Sequence, residues 1–369
     1  VAQEELSRFT ARLQEHLVGL RVLRAFACEE QEKKTLGELN LAYFRASQRL
    51  VNVQALFFPL LQFLIGVGAS EALIFLFMTC CDPGDDIIVF DPTYANYLGF
   101  AAISGVHLVP VLSRMDNNFA VPGRSEIARK ITDRTRAILV CSPNNPTGTV
   151  CTEEELRFLY DLCEERNLFL MVDETYREFV YDDLKPLSIL HLFPKSERVV
   201  VIDSLSKRFS LCGARIGCMI TCNEEILAAA LKIAQARLAA PTIEQFAAAH
   251  MLDSIGDDYL KNARLEFQSR RDALYQNLRE IPGVVVHKPQ GAFYSVVQLP
   301  VDDADDFASF LLSSFSHKGK TTFIAPAAGF YIDGSQGRQQ ARFAYVLQRS
   351  EIVGAIEALA AGLESYRRR

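Results

Sequence analysis

The sequence predicts an α/β fold: a large domain on a mostly parallel sheet, a smaller C-terminal α/β domain, and a helical segment before them. Two observations favour this arrangement. From Ile87 onwards, short and continuously apolar runs alternate with stretches of helical spacing, which is typical of strands buried on both faces of a parallel sheet. Before that point, residues 2–49 place apolar side chains at helical spacing and carry no turn signals between strands.

Six apolar runs define the strands of the predicted large domain, which we place at residues 67–262. The runs lie at 87–90, 106–112, 137–141, 168–172, 199–202 and 216–220. A helix is predicted at 153–166, because Thr152 can cap its N-terminus and Glu155 stands at the capping-box position. Helices between parallel strands cover the faces of the sheet, so this part of the chain predicts a sheet with helices on both sides.

The C-terminal residues 263–369 predict a smaller α/β domain. A long helix at about 259–281 ends at Pro282-Gly283. Four strands and two helices follow in alternation, with the strands at 284–287, 293–298, 321–324 and 341–347 and the helices near 303–314 and 350–366.

Composition narrows the function classes. The net charge is −6, and the basic residues form no cluster apart from the last three arginines, so nothing indicates nucleic-acid binding. The nine cysteines include no Cys-x-x-Cys, and the six histidines show no metal-ligand spacing. We therefore expect reduced thiols, a cytoplasmic protein and no metal site.

Residues 55–81 carry few polar side chains and are long enough to cross a bilayer. However, Glu71 in the middle of such a span would cost about 2.5–3.5 kcal/mol, and a proline and two glycines interrupt the stretch. We therefore divide it. The part up to about Leu64 is predicted to be a membrane helix of a parent protein, and the part from Glu71 a buried helix of a globular domain.

The run DSLSKRFSLCGAR at 203–215 places Lys207 among hydroxyl side chains, with Arg215 eight residues later. A lysine becomes nucleophilic when desolvation or a nearby cation lowers its pKa, and an arginine binds phosphate through two parallel hydrogen bonds. Pyridoxal 5′-phosphate (PLP) needs a lysine for a Schiff base and a phosphate site. The alternative for a lysine seen alone is a solvated surface charge.

Two further charged residues belong to predicted strands. Asp173 ends the apolar run 168–172, where a side chain faces the ligand crevice of an open α/β sheet, and the pyridinium nitrogen of PLP is a partner for such a carboxylate. The alternative is a helix N-cap. Arg342 lies between apolar strand residues and needs a carboxylate partner; the alternative to a substrate carboxylate is an internal salt bridge.

Seven short runs follow one another in a recognisable order. They are GASEA at 68–72, DPTYANY at 91–97, SPNNPTG at 142–148, DETY at 173–176, the run at 203–215, GAFY at 291–294 and ARFAYV at 341–346. From about Val67 to the C-terminus, the chain resembles the fold-type I PLP-dependent transferases. It is most similar to the class I and II aminotransferases of the aspartate aminotransferase type.

The resemblance implies a role for each matching residue. Lys207 bonds to the cofactor and then acts as general base, while Asp173 holds the ring nitrogen. Tyr176 and Asn145 contact the 3′-oxygen, and Asn145 also lies at the substrate. The remaining implied contacts are a ring stack by Tyr94, a substrate-carboxylate contact by Arg342, and a phosphate site formed by Gly68, Ala69, Ser70, Ser204, Ser206 and Arg215. Seen alone, Asn145 indicates only a turn and Tyr94 a core aromatic.

Residues 1–66 do not match the opening of that family. The run LQEHLVGLRVLRAF at 13–26, followed by EE at 29–30 and FFPLL at 57–61, resembles a fragment of the membrane domain of an ATP-binding-cassette exporter. We therefore interpret the chain as a chimera, in which a transporter-like piece precedes an aminotransferase that lacks its N-terminus. Such a segment is excluded from fold reasoning about the enzyme. Membrane contact is expected only if residues 1–66 retain a transporter character.

The sequence thus predicts a PLP-dependent aminotransferase that moves an amino group between an amino acid and a 2-oxo acid. The resemblance implies a homodimer, and the missing N-terminal segment predicts impaired activity. Two alternatives stay open: a PLP-dependent β-lyase or decarboxylase of the same fold, since one fold serves many reactions, and a non-catalytic transporter–enzyme fusion.

Overall fold

A seven-stranded sheet lies at the centre of the larger part of this protein, whose computed structural model describes residues 62–368. The strand order is β1-β7-β6-β5-β4-β2-β3. The five strands β2 to β6 run parallel, while β7 is antiparallel to both of its neighbours. The strands are β1 (Gln62–Val67), β2 (Asp86–Asp91), β3 (His107–Leu112), β4 (Thr135–Cys141), β5 (Phe169–Asp173), β6 (Val199–Ser204) and β7 (Ile216–Thr221). The predicted α/β fold with a mostly parallel sheet is confirmed.

Side chains on the two faces of this sheet enter two separate apolar cores, which explains the unbroken apolar runs. In β2, Ile87 and Val89 pack into one core, and Ile88 and Phe90 pack into the other. Successive side chains of a strand point to opposite faces, so a strand covered on both sides needs apolar residues at every position.

The helices that cover the sheet follow the strands in order. The capping box predicted for α4 is present: the Glu155 N–H donates to the Thr152 hydroxyl at 3.1 Å, and the Thr152 N–H donates to Glu155 Oε2 at 2.7 Å. The helices of this part are α1 (Gly68–Cys80), α2 (Asn96–Ser104), α3 (Arg124–Ala128), α4 (Glu153–Arg166), α5 (Ile189–Leu192), α6 (Leu205–Arg208), α7 (Glu224–Ala236) and α8 (Thr242–Ser254).

A second, antiparallel sheet forms the centre of the C-terminal part, with the strand order β10-β11-β9-β8. One apolar core joins its strands to the helices beside it. The elements are α9 (Asp257–Leu278), β8 (Val285–Val286), β9 (Tyr294–Gln298), α10 (Ala304–Ser313), β10 (Ala325–Pro326), β11 (Gln340–Ala344) and α11 (Arg349–Arg367). The boundary predicted between residues 262 and 263 lies within α9, a single helix.

The strand predicted at 321–324 is wrong. Pairing with β11 begins only at Ala325, which lies opposite Arg342. Just before it, the Thr321 hydroxyl donates to the Leu311 carbonyl at 2.6 Å. That bond ties the apolar segment to the end of α10 rather than to a neighbouring strand.

The predicted join at residue 66 is too late in the chain. Strand β1 begins at Gln62 and pairs along its length with β7, so residues 62–66 belong to the sheet and cannot end a membrane helix at Leu64. The buried helix predicted from Glu71 is confirmed as α1. The helices predicted over 2–49 and the transporter-like resemblance fall on residues 1–61, outside the described part. Within residues 62–368, no helix is both long enough and apolar enough to cross a membrane.

Candidate active site

A cavity of about 300 Å³ opens where β4, β5 and β6 end, at Cys141, Asp173 and Ser204. Ligands of open α/β sheets bind at this edge, outside the carboxyl ends of the parallel strands. Except for Gly68, every residue that we predicted for the site lines the cavity, namely Ala69, Ser70, Tyr94, Asn145, Asp173, Tyr176, Ser204, Ser206, Lys207, Arg215 and Arg342. The structure therefore brings together side chains that are far apart in the sequence.

Lys207 lies on the one-turn helix α6, directly after β6. The Ser204 hydroxyl caps this helix by accepting from the Ser206 N–H at 3.1 Å, and it also contacts the Ser206 hydroxyl at 2.9 Å. The ammonium of Lys207 lies 3.8 Å from the thiol of Cys212 and 6.0 Å from the ring centre of Tyr176. The lysine thus lines the cavity rather than extending as an isolated surface charge.

Asp173 is buried at the end of β5 and accepts two hydrogen bonds. The Tyr97 hydroxyl donates to Oδ2 at 2.7 Å, and the Thr175 N–H donates to Oδ1 at 3.1 Å. Burial raises the pKa of this carboxyl, while the two donors act in the opposite direction. Among residues 62–368, no cationic side chain lies within 4.0 Å of the Asp173 carboxylate. A turn rather than a helix follows it, so the helix N-cap alternative is wrong.

Another part of the cavity wall has groups that suit an anion. Gly68, Ala69 and Ser70 form the first turn of α1 rather than a loop before it, so their N–H groups belong to the positive end of a helix dipole. Gly68 has a φ of +74°, and a Cβ there would lie 2.5 Å from Nη2 of Arg215. The glycine therefore lets the guanidinium approach the start of α1. Arg215 is further held by the Cys212 carbonyl, to which its Nη1 donates at 3.1 Å.

Arg342 lies between two aromatic rings, with its guanidinium carbon 4.5 Å from the ring centre of Tyr294 and 4.7 Å from that of Phe330. Its Nη1 donates to Oδ1 of Asn145 at 3.1 Å. Its Nε is buried with no hydrogen-bond partner among the described residues. In that same part of the chain no carboxylate pairs with Arg342, so the internal salt-bridge alternative finds no support and donors remain for a ligand.

The aromatic residues of the cavity contact one another. The rings of Tyr94 and Tyr97 meet edge to face, with centres 5.3 Å apart, and the hydroxyls of Tyr176 and Tyr294 lie 3.1 Å apart. Burial raises the pKa of both Tyr94 and Tyr176, so both phenols stay protonated near neutral pH and are able to donate a hydrogen bond.

Sequence reasoning missed several residues of this site, among them Tyr97, Cys212 and Tyr294. All three belong to runs that the sequence analysis singled out, but none was given a role. For Tyr97 a signal was available, since it lies in the matching run at 91–97, three residues after Tyr94 and next to the start of a helix. For Cys212 and Tyr294 the sequence contains no comparable pattern.

Comparison with known proteins agrees with this geometry. The sequence model of the family described as "Aminotransferase class I and II" matches residues 56–317. The chain belongs to this family. Among curated relatives of the chain is an aspartate aminotransferase of Bacillus subtilis (strain 168), 31% identical and covering 83% of this chain and 77% of the relative. A probable aspartate/prephenate aminotransferase of Aquifex aeolicus (strain VF5) is 29% identical, and the match covers 82% of this chain and 76% of the relative.

A solved structure shows the same fold. The aromatic aminotransferase from Pyrococcus horikoshii OT3 superposes with a TM-score of 0.76, at 25% identity, covering 83% of this chain and 80% of that chain. Class I and II aminotransferases depend on PLP, and the residues of the cavity fit this cofactor. Arg215 and the start of α1 suit its phosphate, Lys207 its aldehyde, and the buried Asp173 carboxylate a protonated ring nitrogen. The protein is a PLP-dependent aminotransferase.

Proposed function

We propose that the cavity at the ends of β4, β5 and β6 is the active site and that its residues hold PLP and one substrate at a time. A single observation carries the proposal: one cavity is lined by a lysine, two arginines and a buried carboxylate that has no cationic partner among the described residues. When bound, PLP withdraws electrons from the substrate α-carbon and carries the amino group between the two substrates.

Lys207 and Asp173 would serve different parts of the cofactor. Lys207 would hold it at its aldehyde, and the lysine amine would move a proton at the substrate α-carbon as general base. Asp173 keeps the ring nitrogen protonated, because a buried carboxylate with only neutral donors gains most from an adjacent positive charge.

The phosphate and the ring are held by the remaining residues. Arg215, the hydroxyls of Ser204 and Ser206, and the N–H groups of residues 68–70 bind the phosphate. Asn145 and Tyr176, which both line the cavity, would donate to the 3′-oxygen. Tyr94 would stack on the ring, as aromatic side chains commonly do with planar ligands.

Arg342 binds the substrate carboxylate. A guanidinium stacked between two rings keeps its plane fixed, so its spare N–H donors present a fork to a carboxylate. We propose that the substrates are an amino acid and a 2-oxo acid, and that aspartate is an amino donor. The B. subtilis relative, named an aspartate aminotransferase, supports this choice, and the aromatic enzyme of P. horikoshii makes aromatic amino acids the second class to assay.

The test measures both the attachment of the cofactor and the transfer of the amino group. Purified protein is incubated with PLP, reduced with borohydride and digested, and the modified peptide is identified by mass spectrometry. We expect the label on Lys207, and amino transfer from aspartate, alanine or an aromatic amino acid to 2-oxoglutarate. A label on another lysine contradicts the site, while release of ammonia or carbon dioxide in place of transfer contradicts the reaction.

We also propose that the enzyme is a cytoplasmic homodimer. Seven cysteines of the described part have free thiols, namely Cys80, Cys81, Cys141, Cys151, Cys163, Cys212 and Cys218, which supports a reducing compartment. The state of assembly is measured by light scattering of the purified protein with and without PLP. A monomer under both conditions contradicts the dimer.

For the N-terminal residues, the resemblance to an exporter membrane domain supports a chimeric origin, with a join before β1 rather than at residue 66. If the family N-terminus is missing, we expect PLP binding with weak amino transfer. Replacing residues 1–61 by the matching segment of the B. subtilis relative would then raise turnover by several powers of ten, because orientation and water exclusion supply about 7–11 kcal/mol of a barrier. Equal turnover of both proteins contradicts the chimera.

A further inference from the structure

Five charged side chains form a connected group beside the cavity. We call this group the charge cluster; it consists of Glu174, Arg177, Glu178, Asp203 and Arg208. None of the five lines the cavity. The cluster contains three carboxylates and two guanidiniums, and its side chains are between 1% and 22% exposed. Charges this far removed from water are costly unless each has a partner of opposite sign.

Asp203 contacts both arginines of the charge cluster. Its Oδ2 lies 2.7 Å from Nη2 of Arg208 and 3.6 Å from Nη2 of Arg177. Its Oδ1 accepts from the Ser204 N–H at 2.7 Å. Arg177 continues the group, with Nη1 at 3.1 Å from Oε2 of Glu174. Glu174 in turn accepts from the Ile189 N–H at 2.9 Å, which fixes the far end of the group to the start of α5.

Each end of this group is a sequence neighbour of a cavity residue. Arg208 follows Lys207 on α6, and Glu174 follows Asp173 at the end of β5. In both pairs the first residue lines the cavity and the second belongs to the charge cluster. The cluster therefore ties together the two backbone segments that carry the lysine and the carboxylate.

Helix α6 needs a restraint of this kind. It spans only Leu205–Arg208, and a single turn is too short to be stable by itself. Asp203 precedes the N-cap residue of α6, and Arg208 is the last residue of this helix. The ion pair between them therefore restrains both ends of the helix. The Ser204 cap acts on the first turn alone.

We propose that the Asp203–Arg208 pair positions Lys207 against the cofactor aldehyde. The pair touches neither cofactor nor substrate, so both members are positioning residues. The inference rests on the proposed role of Lys207 as the cofactor lysine. Loss of the pair would let α6 shift. The bond made by the lysine would then be affected more than the phosphate contacts, because Ser206 is the one proposed phosphate residue that lies on α6, while the proposed ring residues lie on other elements.

Two ligands separate positioning from general stability. Pyridoxal 5′-phosphate forms the bond with Lys207, whereas pyridoxamine 5′-phosphate, which has an amine in place of the aldehyde, makes only the other contacts. The dissociation constants of both are measured for the wild type and for Arg208→Met. We expect the constant for pyridoxal phosphate to rise about tenfold or more, because a lysine that is displaced no longer meets the aldehyde in the geometry that the bond requires. The constant for pyridoxamine phosphate should change by less than about threefold.

The matched control is Arg198→Met. Arg198 lies just before β6 at the opposite end of the same strand, and pairs with Glu164 at 3.3 Å. The Arg198→Met substitution should leave the ratio of the two dissociation constants unchanged. Asp203→Asn is the second variant, because it keeps an acceptor for the Ser204 N–H while removing the charge. This variant tests the inference if Arg208→Met does not fold. It should also raise the ratio of the pyridoxal phosphate constant to the pyridoxamine phosphate constant.

The outcomes are distinct. Wild-type protein with no borohydride-trapped Lys207 overturns the proposed function and this inference with it. If Lys207 is trapped in the wild type but the ratio of the two dissociation constants is unchanged in the folded variants, only the inference is overturned. Equal weakening of both ligands also overturns it, because that result indicates a structural role without an effect on the lysine.

Discussion

The hydroxyl of Tyr97 donates a 2.7 Å hydrogen bond to Oδ2 of Asp173, which joins the start of α2 to the end of β5. Both residues are buried, at 1% and 5% exposed. Burial raises the pKa of Asp173, and a donor to the carboxylate lowers it, because the bond stabilises the ionised form. Tyr97 therefore helps to keep Asp173 charged for its proposed contact with the ring nitrogen.

We expect Tyr97→Phe to slow amino transfer about tenfold to a hundredfold, since a hydrogen bond to a charged group contributes about 1.5–3 kcal/mol. Steady-state kinetics over a range of pH values check this. The rate should recover in part at higher pH, where Asp173 ionises without the donor. Tyr160→Phe is the control, because Tyr160 makes a similar 2.9 Å bond to Glu164 at an exposed site. Equal rates for the wild type and Tyr97→Phe would rule out this role.

For Lys207→Ala we expect no borohydride-reducible bond to PLP and an intact fold. The phosphate contacts of Arg215 and the start of α1 do not involve the lysine, so the variant should still bind PLP without a covalent bond. Mass spectrometry after reduction and circular dichroism measure the two properties. A reducible bond that survives in the variant contradicts the assignment.

Asp173→Asn should keep PLP bound but slow the proton transfer at the substrate α-carbon by about a hundredfold or more, the range seen when a preorganised electrostatic contact is lost. The neutral amide no longer favours a protonated ring nitrogen. Single-turnover measurement with excess enzyme isolates this step. Turnover equal to that of the wild type would show that the carboxylate has a structural role only.

Arg342→Lys should raise the KM for the amino-acid substrate about tenfold or more with little change in PLP affinity. A lysine has the charge but lacks the planar fork that stacks between Tyr294 and Phe330. Arg338→Lys serves as control, since Arg338 pairs with Asp303 on the surface. A lower kcat at constant KM would instead place Arg342 at the reaction step.

Glu174→Gln tests the pH dependence of stability. Burial raises the pKa of Glu174 from its ordinary value of 4.5 to about 7, and this effect outweighs the attraction of Arg177. A raised folded pKa gives stability that is fully present below pH 4.5 and is lost as the pH rises through 7. The wild type should therefore lose up to about 3 kcal/mol relative to Glu174→Gln between pH 5 and pH 8.

Denaturant unfolding at several pH values measures this difference. Glu280→Gln, at a side chain that is 79% exposed, is the control and should show no trend. A constant difference between the wild type and Glu174→Gln across the range would mean that Glu174 stays ionised in the folded protein.

Much of the fold could be predicted from local patterns in the sequence. The six apolar runs of the large sheet became β2 to β7, because strands buried on both faces need apolar residues at each position. The capping box of α4 formed as predicted, since it depends on residues only three apart. The prediction of a strand at 321–324 was wrong, because an apolar pattern alone does not show which segment pairs with a neighbouring strand.

The family, the cofactor class and the candidate residues follow from the sequence, because the motifs place Lys207, Asp173 and Arg342 in runs whose residue types suit that chemistry. Which side chains meet is seen only in the folded chain. The bond from Tyr97 to Asp173, the stacking of Arg342 between two rings and the charge cluster beside Lys207 all join segments distant in sequence. Such contacts depend on how strands and helices pack, and no local pattern records that packing.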